Sequence, residues 1–190
     1  LSLHVPEPRF RPGDTPDFSD IAVPAAGAVA RPAEDAAPAD IRDLAYGMIR
    51  VLDGEGRAVG AWDPRLSSDR LRAMLRYMMT VRAFDDRMFR AQRQGKTSFY
   101  MKSTGEEAVS VAATMALSRD DMCFPSYRQQ GILIARDYPL VDMMNQIYSN
   151  RGDALKGRQL PIMYSARDHG FFSISGNLAT QYPQAVGWAM

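Results

Sequence analysis

Two short segments of the sequence combine residue types able to bind charged groups. Ser126, Tyr127 and Arg128 follow the apolar run Met122 to Pro125 and precede QQGILIARDYPL, so a hydroxyl, a phenol and a guanidinium stand between a strand and a helix. At the carboxyl edge of an α/β sheet, helix amino-termini favour anions, and a guanidinium placed there suits phosphate. A surface ion pair is the alternative use of the same Tyr-Arg pair. The second segment, Ser175-Gly176-Asn177 followed by Thr180 and Gln181, offers carbonyl, hydroxyl and amide oxygens but no carboxylate. Neutral oxygens suit a monovalent or weakly bound cation rather than zinc; a helix cap by Ser175, Asn177 or Thr180 competes with that reading. His169, in a loop before a strand, is a further candidate site residue, whereas His4 lies in the amino-terminal arm as a bystander. Cys123 sits in an apolar run and reads as core rather than nucleophile. As the one cysteine of the chain, it excludes a disulfide framework and any multi-cysteine zinc or iron–sulfur site. Dinucleotide, Walker, zinc-protease and serine-hydrolase signatures are absent.

The elements that would position these residues follow from periodicity. Residues 68–94 predict a long helix with Ser68 as its N-cap and Gly95 as its stop. Leu71, Met74, Met78, Val81, Phe84 and Met88 gather on one face, and Arg72, Arg76, Arg82, Arg87, Arg90 and Arg93 lie roughly opposite. A solvated face is the plain reading of those arginines; binding of a polyanion is the other. Thr104-Gly-Glu-Glu107 predicts a capping box, with Thr104 bonding the amide of residue 107 and Glu107 reaching back. The helix it opens carries Ala108, Ala112, Ala113 and Ala116, small side chains that predict a buried face approached closely by another backbone. Met122 to Pro125 and Phe171 to Ile174 predict short strands. Residues 139–149 predict a helix with Pro139 in its first turn and Leu140, Met143, Met144 and Ile147 as its apolar face. Residues 150–169 predict a long polar connection, and a last helix begins after Asn177.

Composition frames these elements. Of 190 residues, 46% are hydrophobic and 24% charged, with a formal net charge of +1, as in an ordinary globular chain. The first forty residues hold seven of the twelve prolines and set three arginines against seven acids. Such a segment is neither a helix nor a central strand; it predicts an extended arm over 1–43 with Val5, Phe10, Phe18 and Ile21 as apolar anchors, and a disordered tail is the equal alternative on composition. Residues 44–66 predict a β-hairpin and connection around GEG. No stretch matches a membrane span or a secretory signal, which predicts a soluble protein of a reducing compartment. The opening on Leu1 and the stop at GWAM suggest a segment of something longer.

Read together, QRQGKTSFYMKSTGEEA, FPSYRQQGILIARDYPL, KGRQLPIMYS and SISGNLATQYPQAVGWAM resemble the α subunits of the thiamine-diphosphate-dependent 2-oxo acid dehydrogenases, and within them the branched-chain (2-oxoisovalerate) group. The resemblance covers roughly residues 70–190, and the LHVPEP arm is similar to bacterial members. It implies an α/β fold: residues 67–190 would be the amino-terminal half of a thiamine-diphosphate-binding, doubly wound parallel sheet domain. It implies a cofactor site in which Tyr127 and Arg128 contact the diphosphate, Ser126 matches a neighbouring polar residue, and Gly176 and Leu178 line the cofactor, Gly176 standing where relatives have serine. It further implies a K⁺ site at Ser175, Asn177, Thr180 and Gln181, with Asn177 where relatives have proline.

The implied activity is oxidative decarboxylation of branched-chain 2-oxo acids with acyl transfer to a lipoyl group. The implied partners are a β subunit, in an α₂β₂ heterotetramer, and a lipoyl-bearing transacylase core; no nucleic acid and no membrane are involved. The Mg²⁺ ligands and the catalytic histidine should follow Met190, so the segment holds no catalytic residue of its own. Localisation would be cytoplasmic in a bacterium and the mitochondrial matrix in a eukaryote. A pyruvate or acetoin dehydrogenase α subunit, or a non-catalytic helical interaction module, is the alternative.

Overall fold

The computed structural model describes residues 13–15 and 22–190, which fall into two compact units, Leu1–Arg65 and Leu66–Met190. His4 and the expected anchors Val5, Phe10, Phe18 and Ile21 lie outside the described residues. In the first unit the described chain runs through turns to a short 3-10 turn, Arg42–Ala45. In place of two full strands from Leu44 there is one antiparallel bridge, Leu52 to Ala58, flanked by Val59 N–H donating to Val51 O at 2.9 Å and Asp53 N–H to Arg57 O at 3.0 Å. Two strands alone are marginal in water, and here Met48, Ile49 and Leu52 remain exposed, so little burial supports a longer ladder.

The second unit is mostly helical. Helix α1 is Ser68–Arg93, and its cap is Ser67 rather than the expected Ser68: Ser67 has extended backbone and its side chain accepts from the Arg70 N–H. At the other end Gly95, with φ +72°, donates to Gln92 O and Lys96 donates to Ala91 O. These two bonds form a Schellman stop, which requires a left-handed residue and so favours glycine. The expected apolar face is buried only from Val81 onward, through Phe84, Met88 and Ala91, while Leu71 is exposed. Asp85 is buried within that same arc.

Helix α2, Glu107–Ala116, departs from expectation twice. The capping box is not formed: no side chain caps the helix, and Glu107 reaches back to the Gly105 N–H at 2.9 Å rather than to residue 104. Nor is the alanine face the buried one. Ala108, Ala112, Ala113 and Ala116 are exposed, and Glu107, Ser110, Val111 and Thr114 face inward. The close backbone approach occurs there instead: a Cβ on Gly131 would lie 2.9 Å from Ser110 Cβ. Gly131 opens α3, Gly131–Ala135, a fully buried single turn packed against both α1 and α2.

Glu107 also accepts from Arg82 of α1 at 2.5 Å, and that bond holds its carboxyl below the usual carboxylate range. A group whose pKa is depressed on folding stabilises fully above its unfolded pKa and loses that contribution as pH falls through the folded one. Glu107→Gln should therefore lower the unfolding temperature near pH 7 while flattening the loss of stability below about pH 4. Thermal unfolding of both proteins across that window checks it; parallel curves would be the contrary result.

Helix α4, Leu140–Ile147, starts after Pro139 and buries Met143 and Ile147. The connection to residue 169 is folded onto the core: Gln146 donates to Leu160 O and accepts from Ile162 N–H, both at 2.8 Å, and Ile162, Met163 and Tyr164 are buried. The two expected strands are reduced to one parallel bridge, Cys123 with Phe171, and an antiparallel bridge joins Ala166 to Phe171. Among the described residues no longer strand forms, since a parallel ladder needs further strands and cover on both faces. Helix α5, Gln181–Ala189, follows, with Trp188 edge-on to Phe124 and Phe172. The core of Val81, Met88, Leu133, Ile162 and Phe171 gathers α1, α3 and the strand pair, each side chain contributing about 1.5–3 kcal/mol relative to exposure. No helix of the described residues is long and apolar enough to cross a membrane.

Candidate functional site

The parallel register decides where the two chemistry-bearing segments emerge. Cys123 N–H donates to Gly170 O at 2.7 Å and Phe172 N–H to Cys123 O at 2.9 Å, so both strands run in the same direction. Parallel neighbours end at the same edge, and there the chain continues into Ser126–Arg128 on one strand and Ser175–Gln181 on the other. Phe124 and Phe172, their rings tilted by 36° at 4.9 Å, hold the two strands side by side.

At the first turn, Tyr127 packs against the core and Arg128 lies over its ring at 5.7 Å. Arg128 Nη1 donates to Lys102 O at 3.0 Å, and its Nε stands 4.0 Å from the Glu106 carboxylate, with the side chain 41% exposed. A guanidinium carries five donors, so the bond to Lys102 O leaves most of its donor capacity unused among the described residues. It is therefore oriented rather than consumed by its protein contacts, and the surface ion pair with Glu106 is too long to be its main use. Ser126 donates both its N–H and its hydroxyl to Gln129 Oε1 at 2.7 Å, and Gln129 in turn donates to Glu106 at 3.3 Å. The turn is thus closed by its own side chains.

At the second turn, Thr180 Oγ1 donates to Asn177 O at 2.9 Å, Gln181 Nε2 to Ser175 O at 3.2 Å, and Asn177 N–H to Ser175 Oγ at 3.4 Å. Ser175, Asn177 and Thr180 lie in one small loop, and Gln181 opens α5 directly after it. The helix-cap alternative fails, since no side chain caps α5. A Cβ on Gly176 would meet only Met163 Cε, at 3.6 Å, and Leu178 is 74% exposed. An open glycine beside an uncovered leucine is a surface that an apolar ring can approach. Among the described residues no group of three His, Cys, Asp or Glu side chains could hold a metal ion.

The other candidates lie elsewhere. Cys123 is buried, and burial pushes its thiol up. His169 stacks edge-on against Tyr138 at 5.0 Å, and its carbonyl accepts from Arg136; it serves the fold beneath the strand pair. Sequence reasoning missed the groups that hold the first turn from inside. Asp85 accepts from Tyr100 hydroxyl at 2.7 Å, Ser103 N–H at 2.7 Å, Ser103 hydroxyl at 3.0 Å and Gln130 Nε2 at 2.9 Å. Burial and that carboxylate push the Tyr100 and Tyr164 hydroxyls up. The available signal was an acid inside the apolar arc of α1, between Phe84 and Met88.

Comparison with known proteins shows the family of the chain. The family described as "Dehydrogenase E1 component" matches residues 75–190, and "2-oxoisovalerate dehydrogenase E1 alpha subunit N terminal" matches residues 1–39. The "2-oxoisovalerate dehydrogenase subunit alpha" of Pseudomonas aeruginosa is 60% identical over 190 residues, covering 100% of this chain and 46% of that protein. The mitochondrial α 1 subunit of the same name from Arabidopsis thaliana is 43% identical over 139 residues, covering 73% of this chain and 29% of the relative. The mitochondrial protein of Mus musculus is 42% identical over 141 residues, with 74% and 32% covered. The chain thus spans half or less of the length of the curated relatives it matches. With most of its second unit inside the first of these matches, the chain belongs to the dehydrogenase E1 component family.

Proposed function

We propose that this chain is the amino-terminal part of the α subunit of a branched-chain 2-oxo acid dehydrogenase, acting with a β subunit in an α₂β₂ assembly and passing acyl groups to a lipoyl-bearing transacylase core. The relatives' shared name, 2-oxoisovalerate dehydrogenase subunit alpha, supports the branched-chain substrate class. The single observation that carries the site is the parallel Cys123–Phe171 pairing, which sends both polar turns to one edge. In the domain we propose, residues 1–43 form the arm, 44–66 the hairpin and connection, and 67–190 the first half of a doubly wound parallel sheet.

The half-exposed guanidinium of Arg128 and the neutral-oxygen loop at 175–181 fit a diphosphate and a monovalent cation. Bound thiamine diphosphate would supply the electron sink for decarboxylation. Arg128 and Tyr127 would hold its diphosphate, Arg128 by the guanidinium donors that Lys102 O leaves unused, and Ser126 would close that turn from beside it. Gly176 would meet the cofactor through backbone alone, and Leu178 through its exposed side chain. Ser175, Asn177, Thr180 and Gln181 would hold K⁺ with neutral oxygens, steadying the loop that carries Gly176 and Leu178. The Mg²⁺ ligands are expected from residues following Met190. A full-length α chain with its β partner, given thiamine diphosphate and Mg²⁺ at about 100 times the dissociation constant, should gain about 2.7 kcal/mol of stability, read as a rise in unfolding temperature. An unmoved unfolding temperature would overturn the reading.

A further inference from the structure

Beneath the Tyr127–Arg128 turn lies a buried carboxylate that belongs neither to the proposed contacts nor to the apolar core. Asp85 is fully buried in α1 and accepts four hydrogen bonds, two at each oxygen. Oδ2 takes the backbone N–H and the hydroxyl of Ser103, the residue directly after Lys102, whose carbonyl holds Arg128 Nη1 at 3.0 Å. Oδ1 takes Tyr100 hydroxyl and Gln130 Nε2, and Gln130 stands two residues after Arg128 in the same turn. Gln130 also leans on Met101 O at 3.4 Å. Both ends of the contact that orients Arg128, the Lys102 carbonyl and the turn bearing Arg128 itself, are therefore fixed to one side chain of a third element. A buried carboxylate is costly unless its donors are all in place, and here four donors converge on it from the loop 100–103 and from the turn that bears Arg128.

Resting on the cofactor reading above, we infer that Asp85 is a positioning residue for the diphosphate site, setting the direction of the Arg128 guanidinium through Ser103–Lys102 on one side and Gln130 on the other. An asparagine at position 85 keeps the shape but turns one oxygen into a donor. Facing Ser103, that donor opposes an N–H that cannot reverse; facing Gln130, it makes the Gln130 amide rotate away from Met101. Either way one of the two anchors shifts, and fork geometry at a guanidinium tolerates little misplacement. Gln130→Met cuts one anchor alone while leaving the Asp85 carboxylate with three donors.

The test uses full-length α chain assembled with its β partner. Thiamine diphosphate affinity, with Mg²⁺ present, is measured by calorimetry for Asp85→Asn and Gln130→Met, each alone and combined with Arg128→Ala. Expected is a roughly tenfold weaker affinity for Asp85→Asn and a smaller loss for Gln130→Met, with less than about a twofold further change once Arg128 is absent, since a residue acting through another couples to it. Equal losses with and without Arg128, or unchanged affinity beside a weakened Arg128→Ala, overturn this inference alone and leave Asp85 a stabilising residue only. Unchanged affinity in Arg128→Ala overturns the diphosphate reading, and this inference with it. Should Asp85→Asn fail to assemble, Gln130→Met decides by the same criteria.

Discussion

Arg128→Ala is expected to weaken thiamine diphosphate binding by the full-length α/β assembly by about tenfold to a hundredfold, with the unfolding temperature of the cofactor-free protein nearly unchanged. Hydrogen bonds from a charged donor are worth about 1.5–3 kcal/mol, and each 1.4 kcal/mol is a factor of ten in affinity. The fold loses little, because the side chain is 41% exposed and makes one hydrogen bond, to Lys102 O. The affinity loses much, because the guanidinium is half-exposed with most of its donors unused and nothing else in the turn carries positive charge: Ser126 is spent on Gln129, and Glu106 is acidic. Arg128→Lys separates charge from geometry. A lysine keeps the charge and gives up the planar fork, so its affinity should fall between the two. Calorimetry on the three proteins reads the order directly, and equal affinities for all three would remove Arg128 from the site.

How far the sequence foretold this arrangement depends on what kind of signal each residue leaves. Helix α1 was legible because apolar spacing, a serine start and a glycine stop act locally; its cap was misread between Ser67 and Ser68, two adjacent residues of equal chemistry, and its apolar face is buried only from Val81 onward. The α2 face was misread for a different reason. Alanine is tolerated inside and outside, so Ala108, Ala112, Ala113 and Ala116 carried no directional information. The arc that is buried was chosen by Gly131, 21 residues after Ser110, whose missing side chain admits Ser110. The strands were placed correctly at Cys123 and Phe171 but shrink to one bridge, because ladder length depends on neighbouring strands, not on the propensity of four residues. Tyr127, Arg128 and the Ser175–Gln181 loop stood out as polar residues after apolar runs. Asp85, Ser103 and Gln130 did not, since a buried polar residue is recognisable only through partners that lie 15 to 45 positions away. The polar turns of the candidate site were therefore readable, and the buried groups hydrogen-bonded behind the first turn were not.

The same logic singles out Gly170, where one methyl group should disturb the register on which the site depends. Gly170→Ala is expected to destabilise the protein by about 3–5 kcal/mol. The residue has φ +61° and ends the Arg167–His169 turn, while its carbonyl accepts the Cys123 N–H that starts the parallel pair. A left-handed backbone costs an alanine about 1–2 kcal/mol by itself. The larger cost is spatial: the added Cβ would stand 2.6 Å from Asp121 O and within the Arg136 guanidinium. Asp121 O is backbone and cannot move cheaply. Arg136 is buried and donates to His169 O at 2.7 Å, Asp121 O at 2.9 Å and Ser118 O at 3.2 Å, so displacing it leaves a buried cation short of acceptors. Gly95→Ala supplies the comparison. Gly95 has a similar φ of +72° but open space around its Cβ, so it should lose only the backbone share, about 1–2 kcal/mol. Urea unfolding of the two variants as full-length chains separates strain from collision: a Gly170→Ala loss no larger than that of Gly95→Ala would show that Arg136 gives way freely. If instead the collision dominates, the Phe171 strand must shift against Cys123, and Gly170→Ala should weaken thiamine diphosphate binding although residue 170 lies at the opposite end of the strand from Gly176.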